Sequence, residues 1–351
     1  MKSKKKIAFN FIFLMLCVGL TVYYVMRGED FEQVEAYIKA AKGGEWLVGI
    51  ALVFAFILGE SVIIYYLMGT LKEKPKASHC CLYSFVGFFF SLVTPTASGG
   101  QPMQLVFMSK DRLSAHVSTL TLLIVTITYK AVLVLIGLFI MIARPASVMR
   151  LLRPGMGWIY LGMFLNIVCV AFMLALVWSP EIMKSILRWV ISFIRRYFSR
   201  RIKEERIDRL KQKAIEYMDG YKEASVYVRT HKQVMLKVLA LTFLQRCCLF
   251  AVTFVVFKSF GIHTIGFLQV IVVQGAISLA ADMLPLPGGL GISEHLFQIV
   301  FLPVCGMNLI TPAMIISRGL SFYAQLLISA AFTVVAYFVV FGRRERNDRI
   351  L

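Results

Sequence analysis

Between two apolar runs, Phe267–Met283 and His295–Val304, the chain reads Leu284-Pro285-Leu286-Pro287-Gly288-Gly289-Leu290-Gly291-Ile292-Ser293-Glu294. Two prolines and three glycines in that stretch exclude a plain helix. Neither flanking run reaches the roughly 20 residues that a membrane span needs. Non-helical backbone at membrane depth persists only where it is buried in protein or lines a wet cavity. A second break of the same kind lies upstream, at Thr94-Pro95-Thr96-Ala97-Ser98-Gly99-Gly100-Gln101-Pro102. Paired interruptions in the two halves of a membrane protein point to a transport site.

The membrane setting follows from composition. Apolar residues make up 59% of the 351 positions and mean hydropathy is +0.75. Charged residues are 16%, against about 25% in soluble domains. A net charge of +19 would suggest nucleic acid in a soluble protein. Here the basic residues fall in loops, where they orient the chain and meet anionic lipid, so no nucleic-acid partner is expected. The seven cysteines show no metal-ligand spacing and read as small apolar packing residues. No cofactor or metal is expected.

Taken in order, a basic N-terminus precedes an apolar run at 7–26 with no small-residue cleavage site, which reads as a retained first span. Spans follow at Trp46–Gly69, Ser114–Ala143, Met156–Trp178, Val234–Phe257 and Pro312–Phe341. If Ser78–Val93 crossed fully, Pro180–Gln233, with fourteen Lys/Arg against seven Asp/Glu, would lie outside. That breaks the positive-inside pattern. The pattern is restored if residues 79–112 dip in from the cytoplasm and 267–304 dip in from the other side. The expected architecture is an all-α polytopic membrane protein with six transmembrane helices, two re-entrant hairpins and both termini cytoplasmic. One cost remains: Arg144, Arg150 and Arg153 fall outside.

This arrangement contains an inverted-topology repeat, residues 46–143 against 234–341, joined by the linking span 156–178 and the basic region 180–233. Lys130 follows Gly100 by 30 residues and Arg318 follows Gly289 by 29. Glu60 precedes Gly100 by 40 and Arg246 precedes Gly289 by 43. Within 180–233, Ile182, Ile186, Trp189, Val190, Phe193 and Ile194 recur at helical spacing beside basic residues. That segment reads either as an amphipathic helix on an anionic membrane surface or as a solvated linker.

A charge at the centre of a span costs roughly 3 kcal/mol, so Glu60, Lys130, Arg246 and Arg318 must face the interior, pair, or meet a ligand. Two uses stand open. Lys130 and Arg318, with the bare Gly99-Gly100-Gln101 and Gly288-Gly289 turns and Glu294, form a candidate substrate site in which backbone N–H groups suit a phosphate. Glu60, Arg246 and Asp282 would be supporting charges. Alternatively the charges are structural partners, such as Glu60 with Lys130 or Arg246, and Asp282 and Glu294 with the rest. No catalytic residue is assigned: Ser293, Glu294 and His295 are adjacent on a helix and do not face each other.

Pro95-Thr96-Ala97-Ser98-Gly99-Gly100-Gln101-Pro102 and Pro285–Glu294 resemble the two signature loops of the lysylphosphatidylglycerol synthase transmembrane region, the flippase half of the bacterial multiple peptide resistance factor. The resemblance implies movement of an anionic or aminoacylated phospholipid, such as lysyl-phosphatidylglycerol, between leaflets of the bacterial cytoplasmic membrane. It also implies resistance to cationic antimicrobial peptides. Full-length members add a cytoplasmic aminoacyl-transferase domain. The present sequence ends ten residues past its last span, so the expectation is that lysyl transfer needs a separate partner. A membrane subunit of a lysyltransferase system and a transporter of a polyprenyl-linked glycan are the alternatives, and an oligomer is compatible with either.

Overall fold

The computed structural model describes residues 43–94, 97–179, 204–284 and 291–347, together with six positions between 181 and 192. The expected first span at 7–26, most of the amphipathic stretch after 182, and the Gly288-Gly289 turn lie outside the described residues. No strand occurs among those described.

The described residues begin with α1 (Gly43–Thr70), then α2 (Ala77–Val93), α3 (Gly100–Lys110) and α4 (Ala115–Ala143). Short α5 (Ala146–Leu152) and a 3₁₀ turn (Arg153–Gly155) lead into α6 (Met156–Trp178). Next come α7 (Glu204–Thr230), α8 (Lys232–Ser259), α9 (Phe267–Ala281) and α10 (Ile292–Arg318). A π-helical turn (Gly319–Ala324) continues into α11 (Gln325–Asn347). Among the described residues, five stretches are long and apolar enough to cross a membrane: Gly44–Thr70, Ala115–Ala143, Ala146–Trp178, Lys232–Ser259 and Ile292–Phe341. They coincide with or contain the five expected spans beyond residue 43, to within one residue at Ser114. The protein is a multi-pass membrane protein.

Helices α2 and α3 form an antiparallel hairpin. At 1.5 Å per residue, the eleven residues of α3 rise only about 16 Å, about half of a hydrocarbon core of about 30 Å. His79 meets Asp111, Gly87 meets Gln104, and Ser91 meets Gly100. Glycine is required where the arms converge: a Cβ on Gly100 would lie 2.6 Å from the Gly87 carbonyl oxygen. Thr94 closes the turn, accepting from the Gly99 N–H at 2.8 Å and donating to the Phe90 carbonyl at 2.6 Å. At the open end, Asp111 Oδ2 accepts from the Tyr83 hydroxyl and lies 2.6 Å from His79 Nδ1.

Helix α10 cannot run straight. Glu294 and Arg318 are 24 residues apart, about 36 Å along an ideal helix, yet their side chains meet at 2.7 Å. The chain reverses midway, at Gly306, whose φ of +70° is non-helical. The arm before Gly306 pairs with α9 across the second loop, and the arm after it leads through the π turn into α11. The boundary expected between Val304 and Pro312 falls at this glycine.

One core cluster joins α1, α2, α4, α5, α6, α8, α9 and α10 through residues such as Phe56, Phe85, Ile136, Val252, Val273 and Phe297. The remaining apolar faces, including Leu47, Val62, Phe139, Phe164 and Phe338, are exposed, as in helices that meet protein on one side and lipid on the other. Helix α7 is docked on the end of α6 and satisfies its terminal carbonyls. The Tyr221 hydroxyl donates to Leu176 at 3.2 Å, Ser225 to Val177, and Arg229 to Trp178 at 3.1 Å. The amphipathic segment Ile182–Ile194 lies mostly outside the described residues, so these contacts bear only on the later part of the 180–233 region, which is packed on α6.

Candidate functional site

The interior charges gather at the second loop. Lys130, mid-way along α4, donates from Nζ to Asp282 Oδ2 at 2.6 Å, and both side chains are nearly buried, 10% and 11% exposed. Tyr129 is the next residue on α4, and its hydroxyl donates to the other oxygen, Oδ1. Asp282 directly follows α9 and precedes the loop, so one carboxylate ties a span of the first half to the loop of the second. Met283 Sδ lies 3.0 Å from Lys130 Nζ.

Arg246 on α8 stacks on this group. Its guanidinium carbon is 3.5 Å from the Tyr129 ring centroid and 4.9 Å from that of Phe56, a cation–π arrangement strengthened by desolvation. Its Nε is buried without a hydrogen-bond partner among the described residues. Glu60 on α1 accepts from Gln104 Nε2 of α3 at 2.7 Å and is an electrostatic neighbour of Arg246. The cluster brings together two acidic side chains, Glu60 and Asp282, and two basic ones, Arg246 and Lys130.

At the far end of the loop, Glu294 is held three ways. Oε2 accepts from the Gly291 N–H at 2.5 Å and the Ser293 hydroxyl at 3.0 Å, while Oε1 accepts from Arg318 Nε at 2.7 Å. Glu294 therefore caps α10 and pairs with the cation that matches Lys130. Both ends of the second loop are fastened by a carboxylate to a cation, Asp282 to Lys130 of α4 and Glu294 to Arg318 at the end of the second arm of α10.

The expected site residues thus divide. Lys130, Asp282, Arg246 and Glu60 come together, as do Glu294 and Arg318. Gly99 and Gly100 shape the tip of the first hairpin, and Gln101 Nε2 donates to the Leu122 carbonyl at 3.2 Å, anchoring it to α4. Gly288 and Gly289 lie outside the described residues. The structural pairing expected as the alternative is present in part: Asp282 and Glu294 meet Lys130 and Arg318, whereas Glu60 accepts from Gln104 rather than pairing with Lys130. Thr119 and Thr126, on the Lys130 face, donate to their own helix at Ala115 and Leu122. Tyr129, Gln104 and Met283 were not anticipated. A tyrosine or methionine inside an apolar run reads as packing, and only adjacency to Lys130 and Asp282 marks them.

A family model described as the lysylphosphatidylglycerol synthase TM region matches residues 8–329. The chain belongs to that family. Within the family match fall both loops, both hairpins and all six interior charges from Glu60 to Arg318. Family membership assigns a membrane, lipid-related role. A comparison with curated proteins finds no match.

Proposed function

We propose that this chain moves an aminoacylated phospholipid, such as lysyl-phosphatidylglycerol, between the leaflets of a bacterial cytoplasmic membrane. The two hairpins are re-entrant and the halves form an inverted repeat with both termini cytoplasmic. The observation that carries the proposal is the fastening of the second loop by two acid–base pairs, the nearly buried Lys130–Asp282 and the partly buried Arg318–Glu294. An aminoacylated headgroup carries a phosphate and at least one ammonium. It can exchange with such a pair, phosphate to the cation and ammonium to the carboxylate, with no charge left bare. That exchange keeps every buried charge compensated during passage, and it frees the loop at the same time. A purely anionic headgroup would satisfy the cations but leave the displaced carboxylates without a counter-charge. Adjacent Arg246, with its unpartnered Nε, offers a further donor to the phosphate.

The role in resistance to cationic peptides follows from exporting positive charge to the outer leaflet. The deciding experiment is reconstitution into vesicles containing labelled lysyl-phosphatidylglycerol in one leaflet. Exchange between leaflets that Lys130→Gln abolishes is expected. Unchanged leaflet distribution with every glycerophospholipid tried overturns the proposal, and exchange of a polyprenyl-linked glycan instead would move the substrate to that class.

A further inference from the structure

Apart from the buried charges, an open depression of about 440 Å³ lies at the junction of α5 and α6, lined by Ala146, Met149, Arg150, Arg153 and Met156. The base is rigid. Val148, Leu152 and Ile159 are buried in the main core, and Gly155 packs against Leu296 and Val300 of α10. Arg144, at φ +40°, and Pro145 fix the turn that starts α5.

Two arginines on this base line the same depression. Arg150 and Arg153 are three residues apart, the spacing of neighbours on one helix face. Both are exposed, and neither pairs with an acid among the described residues. Like charges at that spacing repel. Under the positive-inside pattern they are also on the unfavourable side of the membrane. An anion between them removes the repulsion, and arginine's planar fork matches phosphate oxygens. The rest of the lining is alanine and methionine, which suits an amphiphile whose apolar part adjoins its phosphate.

We propose that Arg150 and Arg153 bind the phosphate of a membrane phospholipid, with its glycerol and upper acyl segments against Met149 and Met156. This is a second lipid site, beside the second hairpin, and it does not depend on the transport proposal. The full chain, delipidated in mild detergent, is titrated with phosphatidylglycerol and bound lipid is counted by native mass spectrometry. The double variant Arg150→Gln/Arg153→Gln should lose its tightest-bound lipid, with affinity falling about tenfold or more. Arg150→Lys/Arg153→Lys should retain part of it. The control Lys232→Gln/Lys237→Gln removes the same charge from the exposed start of α8 and should change nothing. Undiminished binding in the first variant, or equal loss in the control, overturns the proposal. Displacement of the lipid by millimolar glycerol 3-phosphate would assign the site to a soluble phosphate and overturn the lipid assignment.

Discussion

Lys130 Nζ and Asp282 Oδ2 meet at 2.6 Å although 152 residues separate them. The pair joins the two halves of the chain at the entry to the second loop. Removing one member of a buried pair leaves an uncompensated charge at a cost of about 3–5 kcal/mol. The two deletions are not equal. Lys130→Gln leaves Asp282 still facing the Tyr129 hydroxyl and Arg246. Asp282→Asn leaves Lys130 and Arg246 together with no carboxylate between them. Thermal unfolding in detergent should therefore rank Asp282→Asn below Lys130→Gln, with the double variant recovering much of the loss. Under headgroup exchange all three lose lipid movement. Recovery of movement in the double variant would refute a ligand role for the pair.

The reversal of α10 is equally testable. Gly306 has φ +70° and nothing within 4 Å of where a Cβ would stand. Gly306→Ala therefore isolates backbone strain from packing, about 1–2 kcal/mol. Lower thermal stability is expected, with weakened Glu294–Arg318 contact. Arg318→Lys keeps the charge but loses the Nε donor to Glu294, and should retain partial activity.

Close approach, rather than backbone angle, governs the first hairpin. Gly100→Ala places a methyl group 2.6 Å from the Gly87 carbonyl oxygen and 2.0 Å from Ser91 Oγ. Prying the arms apart should cost about 1–3 kcal/mol. Gly157→Ala, with nothing within 4 Å, is the matched control and should leave the melting temperature unchanged.

These positions show what the sequence could convey. Paired Pro/Gly breaks marked both hairpins because they violate the apolar pattern locally. Charges inside apolar runs marked Glu60, Lys130, Arg246 and Arg318 because burial demands compensation. The partners were hidden because periodicity within one helix carries no information about which helix lies opposite. Gln104 is 44 residues from Glu60, and nothing in its own neighbourhood distinguishes it from a surface glutamine. The docking of α7 was also illegible. Tyr221 and Ser225 look like ordinary polar-face residues until the terminal carbonyls of α6 are placed against them.

That docking has a pH signature. Burial, and secondarily the neighbouring Tyr217, pushes the Tyr221 phenol up to about 12 from an ordinary value near 10. The protonated form is therefore favoured in the folded state. Its contribution is complete below pH about 10 and is lost as pH rises toward about 12. Hydrogen exchange in α7 should rise over that window in the wild type. In Tyr221→Phe the exchange should be faster at neutral pH, by the loss of a hydrogen bond worth about 1 kcal/mol, and less dependent on pH above 10.

The membrane arrangement can be separated from everything said about lipid. If residues 79–112 enter and leave on the cytoplasmic side, single cysteines introduced near residues 75, 110, 215 and 346 share one side, and those near 150 and 262 share the other. An impermeant thiol reagent applied outside intact cells should label only the last two sites. The length of α3 is the physical ground: about 16 Å of helix ending at Lys110 and Asp111 cannot carry those charges across about 30 Å of hydrocarbon. Asp111 is moreover held by His79 and Tyr83 near the start of α2, so both hairpin ends lie at one level. Labelling of position 110 from outside would make the hairpin a pair of crossings, and the inverted repeat would fall with it.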